Sequence, residues 1–187
     1  AQKVFDSSIR ALRNTAAMLD PTALEKLLDA LSQAKRICTF GVGTSAAIAE
    51  DAHYRFLQLG CPASCYTDIL FMSIAALNMK PKEVAFAVSH SGRTEATLEA
   101  MRLAKAQGAV TAAITSYRAS PLAQLVDYPL VAYADETAYP VEAVSARLAH
   151  LCLLDVLATG LALRGGPAAA KRLARKNQIL EHIRKKK

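Results

Sequence analysis

Short apolar runs alternate with segments of helical spacing along most of the chain. The apolar runs cover residues 37–40, 65–66, 84–88, 110–115 and 130–133. Segments with apolar side chains at helical spacing lie between them, at residues 46–59, 69–78, 95–107 and 121–125. The runs are apolar at consecutive positions, which is typical of strands that are buried on both faces. The pattern predicts a parallel sheet covered by helices on both sides, a three-layer α/β sandwich.

Helical periodicity also precedes and follows this region. Residues 4–19 predict one helix, and Thr22 and Glu25 have the spacing of a capping box at the start of a second. A long apolar helix is expected at residues 141–163, ended by Gly165-Gly166-Pro167. The chain is thus predicted to have three parts: a helical lead-in at residues 1–34, a main domain at 35–165 and a basic tail at 166–187.

The closing helix is apolar nearly all round, so we expect it to be buried, in part against a second subunit. Its most apolar stretch, residues 148–163, contains His150 and Asp155 and is shorter than a bilayer span requires. We therefore expect no membrane-spanning segment.

The net charge of +7 is concentrated at the carboxyl end. Residues 164–187 carry nine Lys and Arg side chains and one acid, Glu181, which makes this segment +8 and leaves −1 for the remainder. A globular part without net positive charge offers no general attraction for a polyanion. We interpret the tail as a solvated helix and expect any nucleic-acid contact through it to be weak.

Four cysteines, Cys38, Cys61, Cys65 and Cys152, lie in apolar surroundings. Their spacing lacks the paired ligands of a zinc site. We interpret them as core residues, and scattered buried thiols favour a reducing, cytoplasmic location. We expect neither a bound metal nor a cofactor.

A first glycine-rich loop, Gly41-Val42-Gly43-Thr44-Ser45-Ala46, follows a strand and opens a helix. Its glycines allow a sharp turn, and the hydroxyls of Thr44 and Ser45 can bond a ligand. The same glycine spacing fits a dinucleotide-binding fingerprint, with Asp68 near the end of the next strand in the place of a ribose-binding acid. A dinucleotide-binding module is therefore one hypothesis.

A second loop, Ser89-His90-Ser91-Gly92-Arg93-Thr94, favours a different ligand. Ser89, Ser91 and Thr94 can surround phosphate oxygens with hydroxyl donors, and Gly92 admits close approach. The helix that begins near Thr94 adds amide groups and a favourable dipole. One hydroxyl suffices to cap a helix, so three of them predict a monophosphate site rather than a plain cap.

The Ser-x-Ser-Gly-x-Thr pattern of this loop, preceded by Gly-x-Gly-x-Ser after the first strand, resembles the SIS (sugar isomerase) domain family over about residues 35–165. The resemblance implies a five-stranded parallel sheet, a homodimer or homotetramer, and a phosphorylated sugar or sugar acid as ligand. It implies phosphate contact by Ser89, Ser91 and Thr94 and sugar contact by Ser45. Further candidate ligand residues are Gly43, Thr44, His90, Gly92 and Arg93.

The segment at residues 135–157 more narrowly resembles the closing segment of RpiR-type transcriptional regulators. Such regulators place a helix-turn-helix DNA-binding domain before the SIS domain. That domain is absent from this chain, so DNA binding is implied only for a longer parent protein. The resemblance favours a non-catalytic effector domain, with a stand-alone phosphosugar isomerase as the alternative.

An isomerase needs a positioned base, and Glu142 at the start of the closing helix is the candidate. In a sensor the same carboxylate would only bond sugar hydroxyls. His53 and His150 lie in helical segments and His182 in the tail. We expect these histidines to be packed or solvated rather than in contact with a ligand.

Overall fold

A computed structural model of the protein describes residues 2–133 and 144–185. Its strands are β1 (Ile37–Phe40), β2 (Ala63–Tyr66), β3 (Val84–Val88), β4 (Val110–Thr115) and β5 (Tyr128–Val131). They form one sheet in the order β2-β1-β3-β4-β5, and every neighbouring pair is parallel.

The described part of the chain also contains seven α-helices. They are α1 (Gln2–Met18), α2 (Pro21–Ser32), α3 (Ala46–Gln58), α4 (Ile69–Leu77), α5 (Glu95–Ala106), α6 (Pro121–Leu125) and α7 (Val144–Lys185). A single 3-10 turn at Gly43–Ser45 joins β1 to α3. The short apolar runs of the sequence are therefore strands and the periodic segments are helices.

Strand β3 shows how the sheet divides the core into two. Val84, Phe86 and Val88 pack with α2, α3 and α7 on one face, whereas Ala85 and Ala87 pack with α4, α5 and α6 on the other. Successive side chains of a strand point to opposite faces, so a strand covered twice is apolar at every position. The predicted three-layer sandwich around a five-stranded parallel sheet is confirmed.

The strand order reverses between β1 and β3. The chain passes from β1 to β2 on one side, then returns to β3 on the other side of β1. The connections that leave β1 and β3 therefore run in opposite directions and open a crevice at the carboxyl ends of these strands. Both loops with candidate ligand residues lie at this crevice.

Helix α7 is long because two helical segments meet at Gly166. This residue has φ +52° and ψ −138°, outside the helical region, and Pro167 opens the second segment. The Gly165-Gly166-Pro167 sequence was predicted to end this helix. It bends the helix instead, and helical structure resumes directly after it. Leu153 and Leu157 of the first segment are buried against α2 and α3 within the same chain. The side of this helix that carries Leu153 and Leu157 is therefore covered without a second subunit.

By length and composition alone, the helical stretch Ala146–Arg184 would suffice to cross a membrane. This stretch is longer than the apolar segment at residues 148–163, which is too short by itself to cross a bilayer. Within its most apolar window, 39% of the residues are buried inside the fold. The core helix of a globular domain has the same length and composition. In this stretch, Leu153, Leu154 and Leu157 are buried in the core.

Asp20, rather than Thr22, caps helix α2. Its Oδ1 accepts hydrogen bonds from the amides of Thr22 at 2.8 Å and Ala23 at 3.3 Å. Pro21 takes the first helical position, where its missing N–H leaves no bond unmade. The predicted capping box between Thr22 and Glu25 is therefore wrong, because the helix begins two residues earlier than that pattern requires.

Burial differs among the four cysteines. Cys38 is buried, Cys61 and Cys65 are partly buried, and Cys152 is exposed, so the prediction of a core position is wrong for Cys152. Burial raises the pKa of the Cys38 thiol to about 11, which keeps it protonated and unreactive at neutral pH.

Candidate functional site

The first loop turns tightly between β1 and α3. A side chain at Gly41 would place Cβ 2.8 Å from the carbonyl oxygen of Ser45 and 2.9 Å from Cβ of Ala49, so only glycine fits. Gly43 has φ +58°, a conformation that favours glycine, but a Cβ there would meet nothing within 4 Å. Gly41 is thus required because a larger residue would clash with α3. Gly43 is favoured because the turn that places Thr44 and Ser45 at the crevice needs a positive φ.

The second loop is built around Gly92, which has φ +61°. Its amide donates to the carbonyl oxygen of Ser89 at 3.1 Å and to Ser89 Oγ at 3.2 Å. Ser91 Oγ accepts from the amide of Arg93 at 3.2 Å. Ser89 is buried and Ser91 half-buried, so these two hydroxyls also shape the turn that was predicted to surround a phosphate.

Thr94 precedes the first residue of α5 and occupies the N-cap position. Its hydroxyl accepts a long bond from Ser89 Oγ at 3.4 Å and makes no capping bond to the first-turn amides of α5. The side chain of Thr94 therefore does not cap α5. The hydroxyl and the amino end of α5 form one polar edge beside the turn, where an anion would gain from the helix dipole.

The loop after β4 packs beneath the second loop. A Cβ at Gly92 would lie 2.6 Å from Cβ of Ser120 and 2.8 Å from Oγ1 of Thr115, and closer still to Oγ of Ser120. The carbonyl oxygen of His90 accepts from the amide of Ser116 at 3.0 Å and from Thr115 Oγ1 at 3.2 Å. These contacts with the end of β4 and the loop after it therefore hold the second loop in position.

Three side chains from different elements form a continuous hydrogen-bonded chain. His90 Nδ1 lies 2.8 Å from Ser116 Oγ, and the same oxygen lies 2.9 Å from His150 Nε2 on α7. The two imidazole rings are 6.1 Å apart between centroids, and Tyr117 packs 5.5 Å from the ring of His90. His90 is half-buried and His150 is 1% exposed. These hydrogen bonds thus connect the second loop to the core.

Burial lowers the pKa of His150 to about 4, and the neighbouring His90 adds to the effect. A neutral imidazole is consequently the form present at physiological pH. His150 is packed in the core, as expected, and it also lines the pocket at the candidate site. His150 sits on the buried stripe of α7 with Ala146, Ala149 and Leu153, and a polar side chain on such a stripe is a signal that the sequence carries. Ser116 has no comparable signal.

A pocket opens where these elements meet. Its lining side chains come from the first loop, from α3, from the second loop and from the start of α7: Thr44, Ser45, Ile48, His90, Ala146, Arg147 and His150. The structure therefore brings together Thr44, Ser45 and His90 as predicted, and adds Arg147 and His150, which sequence reasoning missed. The predicted phosphate-binding residues Ser89 and Ser91 flank His90 in sequence, but neither they nor Gly92 and Thr94 line the pocket.

Other candidates lie elsewhere. Arg93 is exposed and does not line the pocket, and His53 on α3 does not line it either. His182 is exposed near the end of α7. Glu142, the candidate isomerase base, lies outside the described residues.

Asp68 bears on the dinucleotide hypothesis. Its Oδ1 accepts from the amides of Leu70 and Phe71, both at 3.0 Å, and so caps α4. A carboxylate bound to two amides of its own helix is occupied by that role. The structure therefore gives the predicted ribose-binding acid a local structural function.

Residues 30–160 of the chain match the SIS domain family. In sequence, the chain is 34% identical over 182 residues to the HTH-type transcriptional regulator HexR of Escherichia coli (strain K12), covering 97% of this chain and 63% of HexR. In structure, it superposes on the Vibrio vulnificus NanR protein complexed with ManNAc-6P with a TM-score of 0.90 at 25% identity, covering 97% of this chain and 69% of that one.

The sugar isomerase domain of the RpiR transcription factor from Sphaerobacter thermophilus has the same fold. It aligns with a TM-score of 0.85 at 24% identity, covering 94% of this chain and 97% of that one. The chain spans 55 to 63% of the length of the HTH-type regulators that it matches.

Proposed function

The chain belongs to the SIS-domain family, and from this premise we propose that it is the phosphosugar-binding effector domain of an RpiR-type transcriptional regulator. The observation that carries the proposal is the turn at residues 89–94. Gly92 at positive φ, the hydroxyls of Ser91 and Thr94, and the amino end of α5 form one polar edge at the crevice of the sheet. Such an edge suits a phosphate monoester, since it offers hydroxyl and amide donors together with a helix dipole.

The relatives support a regulatory role over a catalytic one. HexR is a transcriptional regulator that aligns with nearly the whole chain, and NanR was obtained in complex with ManNAc-6P. In the proposed assembly, a phosphorylated sugar or sugar acid places its phosphate at Ser89, Ser91 and Thr94 and its sugar beside Ser45 and His90. The ligand changes the activity of the regulator by binding two states of the protein with different affinity.

The proposal extends to a longer parent protein in the cytoplasm. Because the matched regulators are of the HTH type and longer than this chain, we place a helix-turn-helix domain before the lead-in helix of the parent and assign DNA binding to it. The coding sequence upstream of Ala1 tests this directly. A different domain in that position would overturn the regulator assignment.

A ligand panel tests the binding function. Thermal unfolding is measured with hexose 6-phosphates, pentose 5-phosphates and ketodeoxy sugar-acid phosphates, and with the unphosphorylated sugars, inorganic phosphate and NAD. A ligand that binds only the folded state raises the midpoint with concentration. We expect a shift with at least one sugar phosphate, none with its unphosphorylated sugar and none with NAD.

Two variants sharpen the panel experiment. Ser91→Ala should weaken sugar-phosphate binding by roughly 10- to 100-fold, because a bond to a charged group contributes about 1.5–3 kcal/mol. Ser73→Ala is the matched control, since Ser73 is equally half-buried but lies on α4. Equal losses in the two variants would contradict the phosphate assignment. Turnover of the bound sugar phosphate, abolished by Glu142→Gln, would establish the isomerase alternative instead.

We further propose that the domain is a homo-oligomer and that α4 supplies the contact. Its side chains Ile69, Leu70, Phe71, Ile74 and Leu77 are each about half to two-thirds exposed, from 49 to 64%. The helix contains no charged residue, so two copies can face each other across a two-fold axis without like-charge repulsion. An apolar face of this kind marks an interaction surface.

A further inference from the structure

The lead-in helix α1 is hydrogen-bonded to the end of the sheet at which the second loop lies. The amide of Tyr133, shortly after β5, donates to Thr15 Oγ1 of α1 at 2.9 Å. The same hydroxyl donates to the carbonyl oxygen of Ala11, one turn earlier, at 2.7 Å. Thr15 is 4% exposed and Ala11 is fully buried, so this contact lies inside the fold. Thr15 thus connects α1 to the sheet through a buried side chain.

The second loop is bonded to the same strand ends through Thr115, the last residue of β4. Its hydroxyl donates to the carbonyl oxygen of His90 in the second loop at 3.2 Å. Its carbonyl oxygen accepts from the amide of Ala132 at 2.9 Å, and Ala132 is the residue before Tyr133. Hydrogen bonds therefore join the second loop to β4, β4 to the residues after β5, and these residues to Thr15 of α1.

Few large apolar side chains hold α1 in place. Its buried residues are Ser7, Ser8, Ala11 and Thr15, and Leu12 is partly buried against the core. Segments that bury little apolar surface open locally at a lower free energy than the core does. The bond to the Thr15 hydroxyl is therefore a substantial part of what keeps α1 docked, that is, packed on α7 as in this structure.

We propose that Thr15 couples the ligand site to α1, so that a sugar phosphate bound at residues 89–94 stabilises the docked helix. The hydrogen bonds of Thr115, Ala132 and Tyr133 carry this effect. The ligand binds more tightly while α1 is docked, and by linkage it lowers the population of the open helix. The proposal rests on the proposed function, in which α1 lies between the ligand-binding and DNA-binding domains of the parent protein.

Native-state hydrogen exchange of the α1 amides tests the coupling. The probe is the sugar phosphate that binds the wild-type protein most tightly in the panel. At saturation we expect it to slow local exchange in α1 by about 3- to 10-fold, a coupling equal to the effect of one hydrogen bond. Thr15→Val removes the hydroxyl but keeps the shape of the side chain, and should make the exchange rate independent of the ligand. Thr15→Ser keeps the hydroxyl and should retain the ligand effect.

Ser8→Ala is the matched control. Ser8 lies on the same buried side of α1, is 6% exposed, and donates its hydroxyl to the carbonyl oxygen of Val4 within the helix at 2.8 Å. Its removal should leave the ratio of exchange rates with and without ligand at the wild-type value, because a merely structural change affects both rates alike. No effect of the ligand on α1 in the wild-type protein, or an undiminished effect in Thr15→Val, would overturn the proposal.

A second measurement needs no ligand. Thr115→Val removes the bond to the carbonyl oxygen of His90 and should speed exchange in α1 by about 3-fold when Thr15 is present, but not in the Thr15→Val background. Equal effects in the two backgrounds would show that the second loop and α1 are not coupled through Thr15. If the wild-type protein binds no sugar phosphate, the proposed function is wrong, whereas this double-mutant measurement still decides the coupling.

Discussion

The neutral imidazole of His150 makes the stability of the fold depend on pH. Burial lowers its folded-state pKa to about 4, below the ordinary value of 6.5. Between these two values the unfolded chain binds a proton that the folded chain does not, so the free energy of unfolding falls as the pH decreases from 6.5 to 4. Above 6.5 the contribution of His150 is fully present.

We expect this one residue to contribute on the order of 3 kcal/mol to the pH dependence over that window. Denaturant unfolding of the wild-type protein and His150→Gln, measured at several pH values, isolates the contribution, because the carboxylates that titrate in the same range are common to both. Parallel stability curves for the two proteins would show that His150 is protonated in the folded state.

Two glycines with the same backbone conformation should respond differently to alanine. Gly43 and Gly92 have φ of +58° and +61°, so either substitution introduces strain of about 1 kcal/mol. A Cβ at Gly92 also collides with Ser120 and Thr115, whereas a Cβ at Gly43 meets nothing within 4 Å. Denaturant unfolding should therefore show a loss of roughly 3 kcal/mol for Gly92→Ala and about 1 kcal/mol for Gly43→Ala. Similar losses would contradict the packing argument.

The residues of the candidate site differ in how much the sequence reveals of them. Ser89, Ser91 and Thr94 are adjacent in one loop, so their hydroxyls stand out as a local pattern. Ser116 meets His90 only because β3 and β4 are hydrogen-bonded neighbours and end at the same edge of the sheet. A partnership of this kind depends on strand order, which the local pattern does not contain. His150 carried a weaker signal, as a polar residue on a buried stripe.

At the scale of elements, helix boundaries follow from caps that single residues can change. Asp20 and Thr22 both have side chains suited to an N-cap, but Pro21 fits the first helical position and so selects Asp20. Replacing Asp20 with Ala should cost about 1 kcal/mol of unfolding free energy, because the amides of Thr22 and Ala23 lose their acceptor.

Thr22→Ala is the matched control for this cap. It removes a hydroxyl from the residue that the capping-box pattern identifies, and should leave the unfolding free energy within about 0.5 kcal/mol of the wild-type value. Chemical denaturation followed by circular dichroism measures both variants. A larger loss in Thr22→Ala than in Asp20→Ala would restore the predicted capping box.

Strands β3 and β4 were predicted to the residue, and for a physical reason. Val84–Val88 and Val110–Thr115 are buried on both faces, so their apolar runs begin and end where the strands do. Strand β5, at the edge of the sheet, is only partly buried and includes Tyr128 and Pro129. Its apolar pattern is correspondingly weaker, and the predicted strand at residues 130–133 starts two residues late.

At the scale of the whole molecule, the apolar face of α4 predicts self-association. Ile74→Glu places a charge at the centre of that face and should shift the protein from an oligomer to a monomer. Leu163→Glu is the control, since Leu163 is 77% exposed but lies on α7, in the opposite layer. Size-exclusion chromatography with light scattering measures both. A monomeric wild-type protein, or dissociation by Leu163→Glu alone, would contradict the assignment of α4.

The packing of the β4 loop beneath the second loop has a consequence for how such a site can diverge. Gly92 leaves room for Ser120, and Ser116 and Thr115 bind the backbone of His90, so neither loop keeps its shape without the other. Evolution must therefore alter the two segments together. A substitution at position 120 can therefore shift the second loop and alter ligand preference, although Ser120 does not line the pocket.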